Sequence, residues 1–593
     1  MAKKKTTQTK IESIRHKDRR MNIPTEELRD FVADDERKPK AMLYPRDPSL
    51  DPQLVWKGKD AQDAEDLSVP VVPIYIQEKI HPQAIIDALP RLEKAGDSQI
   101  DLFSDFNGGP QEFEKKVEFY HHDQNWTNRL ILGDSLLVMA SLAEKEGLRG
   151  KIQTIYIDPP YGIKFGSNWQ VSTRKREVKD GKAEDITRQP EQVRAFRDTW
   201  KLGVHSYLAY LRDRLVIARD LLTETGSLFV QIGDENQHLV RSVLDEVFGS
   251  DNFIATITLT KTTSATSELL AGVADFILLF AKNRDQMKYR QIYVEKELGG
   301  AGTSGYSWIE LADGKRQKLN EDIAQLETGR VFTVGDLTSQ RPLQGSDVSS
   351  FSFEGRVYSP GKGTFKTDQA GLETLALARR LQAVGSTLRY VRFIDDFAVY
   401  PLANVWTDTG IAGYASHKQY VVETSVKIVE RCLLMTTDPG DLVLDPTCGS
   451  GTTAYVAELW GRRWITCDTS RVALALARTR MMSARYPYYL LVDSPEGIKK
   501  ESEHTGKIPP EFKTESDIRK GFVYKRVPHV TLKSIANNPD IKEGMTREQI
   551  NAAIARHAGS EMLYDQPFVN AGRKVRHPPW RSKSAAPLAA GRK

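Results

Sequence analysis

Two short clusters of side chains in this chain carry groups that could do chemistry, and the first is Asp158-Pro159-Pro160-Tyr161. It follows the apolar run KIQTIYI with a carboxylate, two prolines and an aromatic ring. Consecutive prolines fix φ and remove two N–H donors, so this segment presents the Asp158 carboxylate and backbone carbonyls as acceptors. Such acceptors suit a planar ring with an exocyclic amine, while Tyr161 stacks on that ring. We call residues 158–161 the acceptor corner.

The second cluster is a turn within LVLDPTCGSGTTAYVAELWGRRWITCD, a stretch typical of strand, turn, helix and strand. Gly449 and Gly451 let the turn tighten and let a ligand approach backbone N–H groups. Asp468 ends the second strand 23 residues after Asp445, where an acid can accept hydrogen bonds from ribose hydroxyls. The pattern therefore predicts an adenosine-like ligand. A dinucleotide is disfavoured, because alanine replaces the third glycine of GxGxxG. We call residues 445–452 the glycine turn.

Both clusters stand at strand ends within an alternating α/β pattern. This alternation predicts a mostly parallel, doubly wound sheet. Because ligands of such sheets bind outside the carboxyl ends of the strands, both clusters should face one crevice. The predicted strands are 129–134, 151–157, 227–234, 253–260, 276–282, 442–446 and 463–468, and the predicted helices are 135–147, 206–226, 235–249, 420–435, 452–461 and 471–482.

The flanking and inserted segments differ from this α/β region in amino-acid composition and in apolar periodicity. Residues 1–65 are polar and weakly periodic, which predicts an extended arm with few fixed contacts. Residues 285–400 hold 13 of the 41 glycines and only short apolar runs, which indicates an inserted, loop-rich domain. Beyond about residue 486 the chain is polar and mixed.

Charge is unevenly distributed along the 593 residues. The net charge is +5, but residues 1–20 carry 8 basic and 2 acidic side chains, and residues 570–593 carry 7 basic and none acidic. The body between them is therefore net −8. This excludes a uniformly basic nucleic-acid-binding coat and leaves local basic patches or a partner other than nucleic acid.

Cysteine usage narrows the chemistry further. Cys432, Cys448 and Cys467 form no CxxC pair, which argues against a disulfide scaffold or a Cys-based zinc site, and no metal is expected. None of the three follows a proline, as the nucleophile for covalent attack on carbon five of cytosine usually does. Neither an apolar signal region nor a run of 18 apolar residues occurs, which predicts a cytoplasmic protein without membrane attachment.

DPPY together with DPTCGSGTT resembles the S-adenosylmethionine-dependent amino-methyltransferases of DNA. The corner precedes the turn by 287 residues, which is similar to the permuted β class of that family. The GDS turn at 133–135 and the runs AFRDTWKLGVHSYLAYLRDRL, GSLFVQIGDEN and LDEVFGSDNFIA resemble the modification (Mod) subunit of type III restriction systems. The resemblance extends over about residues 125–485.

The resemblance implies a Rossmann-like methyltransferase fold with circularly permuted motif order. It also implies an inserted target-recognition domain and extensions at both ends. The expected domains are residues 1–124 as N-terminal extension, 125–284 as catalytic half, 285–400 as target-recognition insertion, 401–485 as cofactor-binding half and 486–593 as C-terminal extension.

Specific residues take roles under this resemblance. S-adenosylmethionine is the implied cofactor, and double-stranded DNA is the implied substrate. A homodimer and a restriction or helicase partner subunit are further implied. The corner residues that would hold the target base are Asp158, Pro159, Pro160 and Tyr161. The residues that would bind the cofactor are Asp134, Asp445, Pro446, Gly449, Gly451, Thr452 and Asp468.

The implied reaction is methylation of the N6 amine of adenine, with which the DPPY form is mostly associated, in a restriction-modification or phage-defence system. Two alternatives stay open: methylation of the N4 amine of cytosine, or a non-catalytic DNA-binding subunit of a defence complex. Methylation of RNA or protein glutamine is less favoured, because those enzymes usually carry Asn first in the corner.

Two departures from the family pattern bear on the cofactor contacts. Thr447-Cys448 stands where an aromatic and a small residue are usual, and QYVVETSVKIVERCL lacks a common Lys-Pro pair.

The charged loop 171–189 is a candidate clamp, although a solvated loop is the favoured interpretation. Candidate DNA contacts in the insertion are Arg341, Arg356, Tyr358, Lys362, Lys366, Arg379, Arg380, Arg389, Tyr390 and Arg392.

Overall fold

The computed structural model describes residues 40–44, 54–72, 74, 128–159, 203–261, 269–319, 329–345, 347–410, 424–506 and 514–570. Several sequence-based predictions fall outside these ranges. They concern Pro160 and Tyr161 of the acceptor corner, the charged loop 171–189 and the basic segments 1–20 and 571–593.

An eight-stranded sheet forms the centre of the first of two compact units. This unit comprises Met1–Arg290, Asn404–Val523 and Val569–Lys593. Its strands are β1 (Arg129–Leu132), β2 (Ile152–Ile157), β3 (Leu222–Gly233), β4 (Phe253–Thr260), β5 (Ala274–Ala281), β6 (Val405–Trp406), β7 (Leu442–Asp445) and β8 (Arg463–Asp468).

The strand order is β6-β4-β5-β3-β2-β7-β8-β1. Strands β3, β2, β7, β8 and β1 pair in parallel, and β5 pairs antiparallel with both β3 and β4. The chain leaves β2 toward β3 and leaves β7 toward β8, so the strand order reverses between β2 and β7. Such a reversal opens a crevice at the carboxyl ends of the strands. The mostly parallel α/β sheet expected from the sequence is thereby confirmed.

Within the described parts of the chain, six helices lie between or directly after these strands. All six residues of β2 are buried, as expected for a parallel strand covered on both faces. The main core joins β2 and β3 to the apolar faces of the helices, with Leu142, Leu215 and Leu244 fully buried. The helices are α1 (Ser135–Glu144), α2 (Val204–Leu221), α3 (Gln237–Phe248), α4 (Val426–Thr436), α5 (Thr452–Leu459) and α6 (Arg471–Ser483).

One predicted boundary is wrong. The helix expected over 206–226 ends at Leu221, and β3 begins at Leu222. The hydroxyls of Thr223 and Thr225 donate to Gln153 Oε1 of β2, at 3.0 and 2.9 Å. These cross-strand bonds, together with the β preference of threonine, extend the strand where a helix was expected.

The predicted arm over residues 1–65 is also wrong where the structure describes it. Lys59–Ala64 is a helix, and Trp56 and Lys59 are buried. Lys59 Nζ lies 3.2 Å from Glu246 Oε2, and Arg212 lies 2.6 Å from the other oxygen of Glu246. A buried indole and these ion pairs hold the segment against α2 and α3. The strand Lys40–Tyr44 pairs antiparallel with Leu67–Val71.

The second compact unit comprises Gln291–Ala403 and Tyr524–Phe568. Its core includes residues of both segments, among them Leu372, Ile535 and Ala553. The predicted C-terminal extension 486–593 is thus divided between the two units. The five-stranded antiparallel sheet of the second unit runs in the order Arg316–Lys318, Trp308–Glu310, Arg330–Asp336, Thr387–Phe393 and Leu381–Val384.

Smaller elements complete the described structure. Within the residues that the structure describes, no helix is long and apolar enough to cross a membrane. The further paired strands are Tyr293–Glu295 with Val399–Pro401, Thr338–Ser339 with Thr364–Phe365, Phe351–Phe353 with Arg356–Tyr358, and Tyr524–His529 with Gly559–Pro567. The further helices are Gln369–Leu377, Pro495–Thr505, Leu532–Ala536 and Arg547–His557.

Candidate active site

Acidic residues end or follow four neighbouring parallel strands at one edge of the central sheet. Asp445 and Asp468 are the last residues of β7 and β8, Asp158 directly follows β2, and Asp134 comes two residues after β1. These four strands are adjacent and parallel. The structure therefore brings the acceptor corner and the glycine turn to the same edge, although they lie 287 residues apart in the chain.

A threonine hydroxyl joins the acceptor corner to the glycine turn. The backbone N–H of Asp158 donates to Thr447 Oγ1 at 2.8 Å, and that hydroxyl donates to Asp445 Oδ1 at 3.1 Å. The Thr447 N–H donates to the same Asp445 oxygen at 2.9 Å. Pro159 is buried. Stacking of a target base on Tyr161 stays a prediction.

The Asp158 carboxylate lies beside the hydroxyl of Thr424, near the buried side chain of Gln231. Thr424 Oγ1 donates to Asp158 Oδ2 at 2.9 Å and lies 3.4 Å from Gln231 Oε1. Burial raises the pKa of Asp158 to about 7; the Thr424 hydrogen bond opposes this, and the negative charge of Asp445 adds to it. A carboxyl with such a pKa changes charge near neutrality, as groups at functional sites often do.

The glycine turn is tightly packed against α6. Gly451 has φ +74°, and a Cβ at this position would lie 2.7 Å from Ala477 Cβ. Both the backbone conformation and the space therefore require glycine. Gly449 has φ +50°, and its N–H donates to Asp468 Oδ2 at 2.9 Å. The turn thus directs backbone donors toward the carboxylate that ends β8.

Asp445 and Asp468 make this edge acidic. Burial raises the pKa of each to about 6. Asp468 Oδ1 accepts from the Ser470 N–H at 2.7 Å, which opposes the effect of burial. Because burial disfavours the charged forms of Asp158, Asp445 and Asp468 alike, a positively charged ligand at this edge would favour their ionised forms.

Arg480 of α6 reaches the start of α5. Its Nη1 donates to Ser450 Oγ at 3.2 Å and to Thr452 Oγ1 at 3.0 Å. The guanidinium carbon lies 5.0 Å from the centre of the Tyr455 ring. Thr452 is thus buried and bonded within the protein. The sequence analysis did not identify Arg480. Arg478 and Arg480 both lie in the run ARTRMM, and nothing in the sequence shows which of them reaches the glycine turn.

Asp134 has a structural role in addition to the predicted cofactor contact. Its Oδ1 caps α1 by accepting from the Leu136 N–H at 2.9 Å, and its Oδ2 accepts from Arg214 Nη2 at 2.6 Å. The Arg214 guanidinium carbon lies 3.3 Å from the centre of the Tyr210 ring. Contact of Asp134 with an adenine edge stays a prediction.

Three residues predicted to contact DNA in the insertion are buried in the second unit. Tyr358 and Tyr390 belong to its core. Arg380 is 2 % exposed and forms a two-pronged ion pair with Asp396, at 2.5 and 2.9 Å. The prediction is corrected for these three, because their rings or charges are already used in packing or pairing.

A family model described as DNA methylase matches residues 152–479, more than half of the chain. The matched range includes both the acceptor corner and the glycine turn. The chain belongs to the DNA methylase family. The expected family resemblance is thereby confirmed.

Two curated relatives each share 26% sequence identity with this methylase over the aligned residues. It is 26% identical over 367 residues to the type II methyltransferase M.EcaI of Enterobacter cloacae, which covers 61% of this chain and 70% of that protein. It is also 26% identical over 404 residues to the probable type III restriction-modification enzyme HindVI Mod subunit of Haemophilus influenzae, which covers 60% of this chain and 50% of that protein.

Among solved structures, the methylase matches a putative DNA modification methylase of Thermus thermophilus in complex with S-adenosyl-L-methionine. The sequence identity is 16% and the TM-score is 0.28, over 60% of this chain and 93% of the other.

Proposed function

We propose that this methylase is a site-specific DNA methyltransferase that transfers a methyl group from S-adenosylmethionine to the N6 amine of adenine. The observation that carries the proposal is the placement of Asp158 at the same sheet edge as Asp445 and Asp468, linked to the glycine turn through Thr447. An amine acceptor and a candidate cofactor turn are thereby neighbours, as the transfer requires.

The acidic edge fits S-adenosylmethionine because this cofactor carries sulfonium and ammonium charges. Asp445, Gly449, Gly451 and Thr452 would hold its methionine portion. Asp468 would accept from its ribose hydroxyls. The pKa values of Asp445 and Asp468 are each raised to about 6 by desolvation, so a cationic partner would stabilise their ionised forms. When bound, the cofactor supplies a methyl group on a sulfonium sulfur, which is already a strong electrophile.

The protein contributes alignment and hydrogen-bond acceptors. An exocyclic amine is a poor nucleophile because its lone pair is delocalised into the ring. Acceptance of its hydrogens by Asp158 and by the Pro159 carbonyl would draw the nitrogen toward sp³ geometry and expose that lone pair. The base must first leave the duplex at a cost of a few kcal/mol, and Tyr161 would stack on it once it is flipped out.

The choice of adenine rests on the DPPY form of the acceptor corner. The family description covers DNA methylases without naming the base. Methylation of cytosine N4 is the nearest alternative, and a non-catalytic DNA-binding subunit is the second.

Restriction-modification is the proposed setting. The likeness to the HindVI Mod subunit supports it. We further propose double-stranded DNA as substrate, a homodimer as the working form and a restriction or helicase subunit as partner.

DNA from cells that express the full chain, alone and with a candidate partner subunit, can be read by single-molecule sequencing. A new N6-methyladenine at one sequence motif is the expected result. N4-methylcytosine at a motif would establish the alternative base. Absence of any modified base under both conditions would overturn the enzyme proposal in favour of the non-catalytic subunit.

A basic groove in the second unit supports DNA as the substrate. The groove has a volume of about 340 Å³, and Ser339, Arg341, Thr364, Lys366 and Lys533 supply its hydroxyl and cationic groups. The hydroxyls of Ser339 and Thr364 lie 3.0 Å apart. Hydroxyls and cations together are the usual partners of backbone phosphates, so we propose that this groove contacts the DNA backbone.

Lys533→Glu should weaken DNA binding, since it reverses an exposed charge in this groove. The slope of log K against log salt is negative, and each lost phosphate contact decreases its magnitude by about 0.9. We expect that decrease in slope and a dissociation constant raised about tenfold near 0.1 M salt, measured by fluorescence anisotropy with duplex DNA. Lys542→Glu, an equal charge reversal at an exposed position outside the groove, is the matched control. Equal effects of both variants would refute a specific contact.

A further inference from the structure

Two threonine hydroxyls hold Asp158 from two sides. Thr447 accepts the backbone N–H of Asp158 at 2.8 Å, and Thr424 donates to its carboxylate at 2.9 Å. Both threonines lie in the segments where the sequence departs from the family pattern. The two segments that differ from the family pattern therefore supply the two threonines that bond Asp158.

The Thr424 hydroxyl has one proton and two acceptors within reach. Asp158 Oδ2 lies at 2.9 Å and Gln231 Oε1 at 3.4 Å. Tyr156 Oη donates to Gln231 Oε1 at 2.6 Å, so that amide oxygen already has a stronger donor. The shorter distance and the charge of the carboxylate both direct the Thr424 proton to Asp158.

Whereas the Thr424 hydroxyl donates to Asp158, the Thr447 hydroxyl accepts from it. Its N–H and its hydroxyl both donate to Asp445 Oδ1, at 2.9 and 3.1 Å. The oxygen lone pairs are then available to accept the Asp158 N–H. The peptide of Asp158 is thereby fixed to the glycine turn, and Thr424 fixes the orientation of the carboxyl group.

Several charged groups also affect the pKa of Asp158, and the Thr424 hydrogen bond acts together with them. Asp445 and Asp275 raise the pKa of Asp158, and Lys261 lowers it. Lys261 also pairs with Asp275 at 2.5 Å, so the two act on Asp158 in opposite directions. The pKa of Tyr207 is raised by burial, by Tyr210 and by the charge of Asp158. The Thr424 hydrogen bond is the largest influence that opposes burial.

We propose that Thr424 is a positioning residue, which holds Asp158 Oδ2 so that Oδ1 faces the target amine. The inference rests on the proposed methyl transfer and deepens it. A donor fixed on one carboxylate oxygen leaves the other oxygen as the acceptor. It also favours the ionised form, in which the other carboxylate oxygen carries no proton and can accept an amine hydrogen.

Thr424→Val removes the donor at nearly constant volume, and Thr424→Ser keeps it. The bond stabilises the ionised carboxylate, so its loss raises the pKa of Asp158. As the pH is lowered, activity that needs the ionised form is then lost at a higher pH than in the unmodified protein. For Thr424→Val we expect methylation slowed about tenfold at pH 7 and an acidic limb of the pH profile moved up by about one unit. Thr424→Ser should restore both to within about twofold.

The test uses the full chain with saturating DNA and cofactor between pH 6 and 9. An unmoved acidic limb, or a serine variant as slow as the valine variant, would overturn the positioning role. A second readout needs no activity: the Asp158 carboxyl can be titrated by infrared difference spectra against Asp158→Asn. Its midpoint should rise in Thr424→Val, and an unchanged midpoint would refute the inference. Absence of methylation by the unmodified chain would instead contradict the proposed function.

Discussion

Asp158→Ala should abolish methyl transfer, by about a thousandfold or more, while S-adenosylmethionine binding stays measurable. The substitution removes the proposed acceptor of the amine hydrogens. It spares the backbone N–H that donates to Thr447 and the Asp445 carboxylate of the glycine turn. Transfer to duplex DNA can be followed with methyl-labelled cofactor, and cofactor affinity by calorimetry.

The exposed Asp251, in the turn before β4, provides the matched control. Asp251→Ala should leave transfer and cofactor affinity unchanged. Equal loss of cofactor binding and transfer in Asp158→Ala would contradict the role assigned to Asp158. It would indicate instead that the substitution disrupts the glycine turn.

Asp396→Ala should have the largest effect on the stability of the second unit. Asp396 accepts from Arg380 at 2.5 and 2.9 Å and from the Phe393 N–H at 2.8 Å, and both charged side chains are at most 3 % exposed. Removal of one partner leaves the other charge buried and unpaired, which costs about 3–5 kcal/mol. Hydrogen exchange of the amides in Arg330–Asp336 and Thr387–Phe393 measures this loss as a lower free energy of local unfolding.

The neighbouring Asp395 forms an exposed ion pair with Arg330, which can be compared with the buried pair of Asp396 and Arg380. It bonds Arg330 at 2.9 Å, but its side chain is 56% exposed. Asp395→Ala should therefore cost less than about 1 kcal/mol. Similar losses for both variants would show that burial does not govern the cost in this unit.

The elements of the central sheet were largely predictable because each depends on local sequence. Strands expected at 253–260, 442–446 and 463–468 are observed at Phe253–Thr260, Leu442–Asp445 and Arg463–Asp468. The parallel strands β7 and β8 are largely apolar runs, each of which ends in an acid. The position of the candidate site at the carboxyl ends of these strands follows from the same pattern.

The sequence by itself therefore determined the family, the sheet and the chemical nature of its polar edge. Tertiary structure alone decided which groups hold Asp158, how residues 524–568 join Gln291–Ala403, and why Arg380 is unsuited to DNA. Thr424 and Asp158 are 266 positions apart, and Asp158 and Thr447 are 289 apart. Such contacts depend on the packing of distant segments, because a single threonine or arginine has the same local preference whether it is buried or exposed. Motifs are read along the chain, whereas burial and hydrogen-bond partners are set only when the chain is folded.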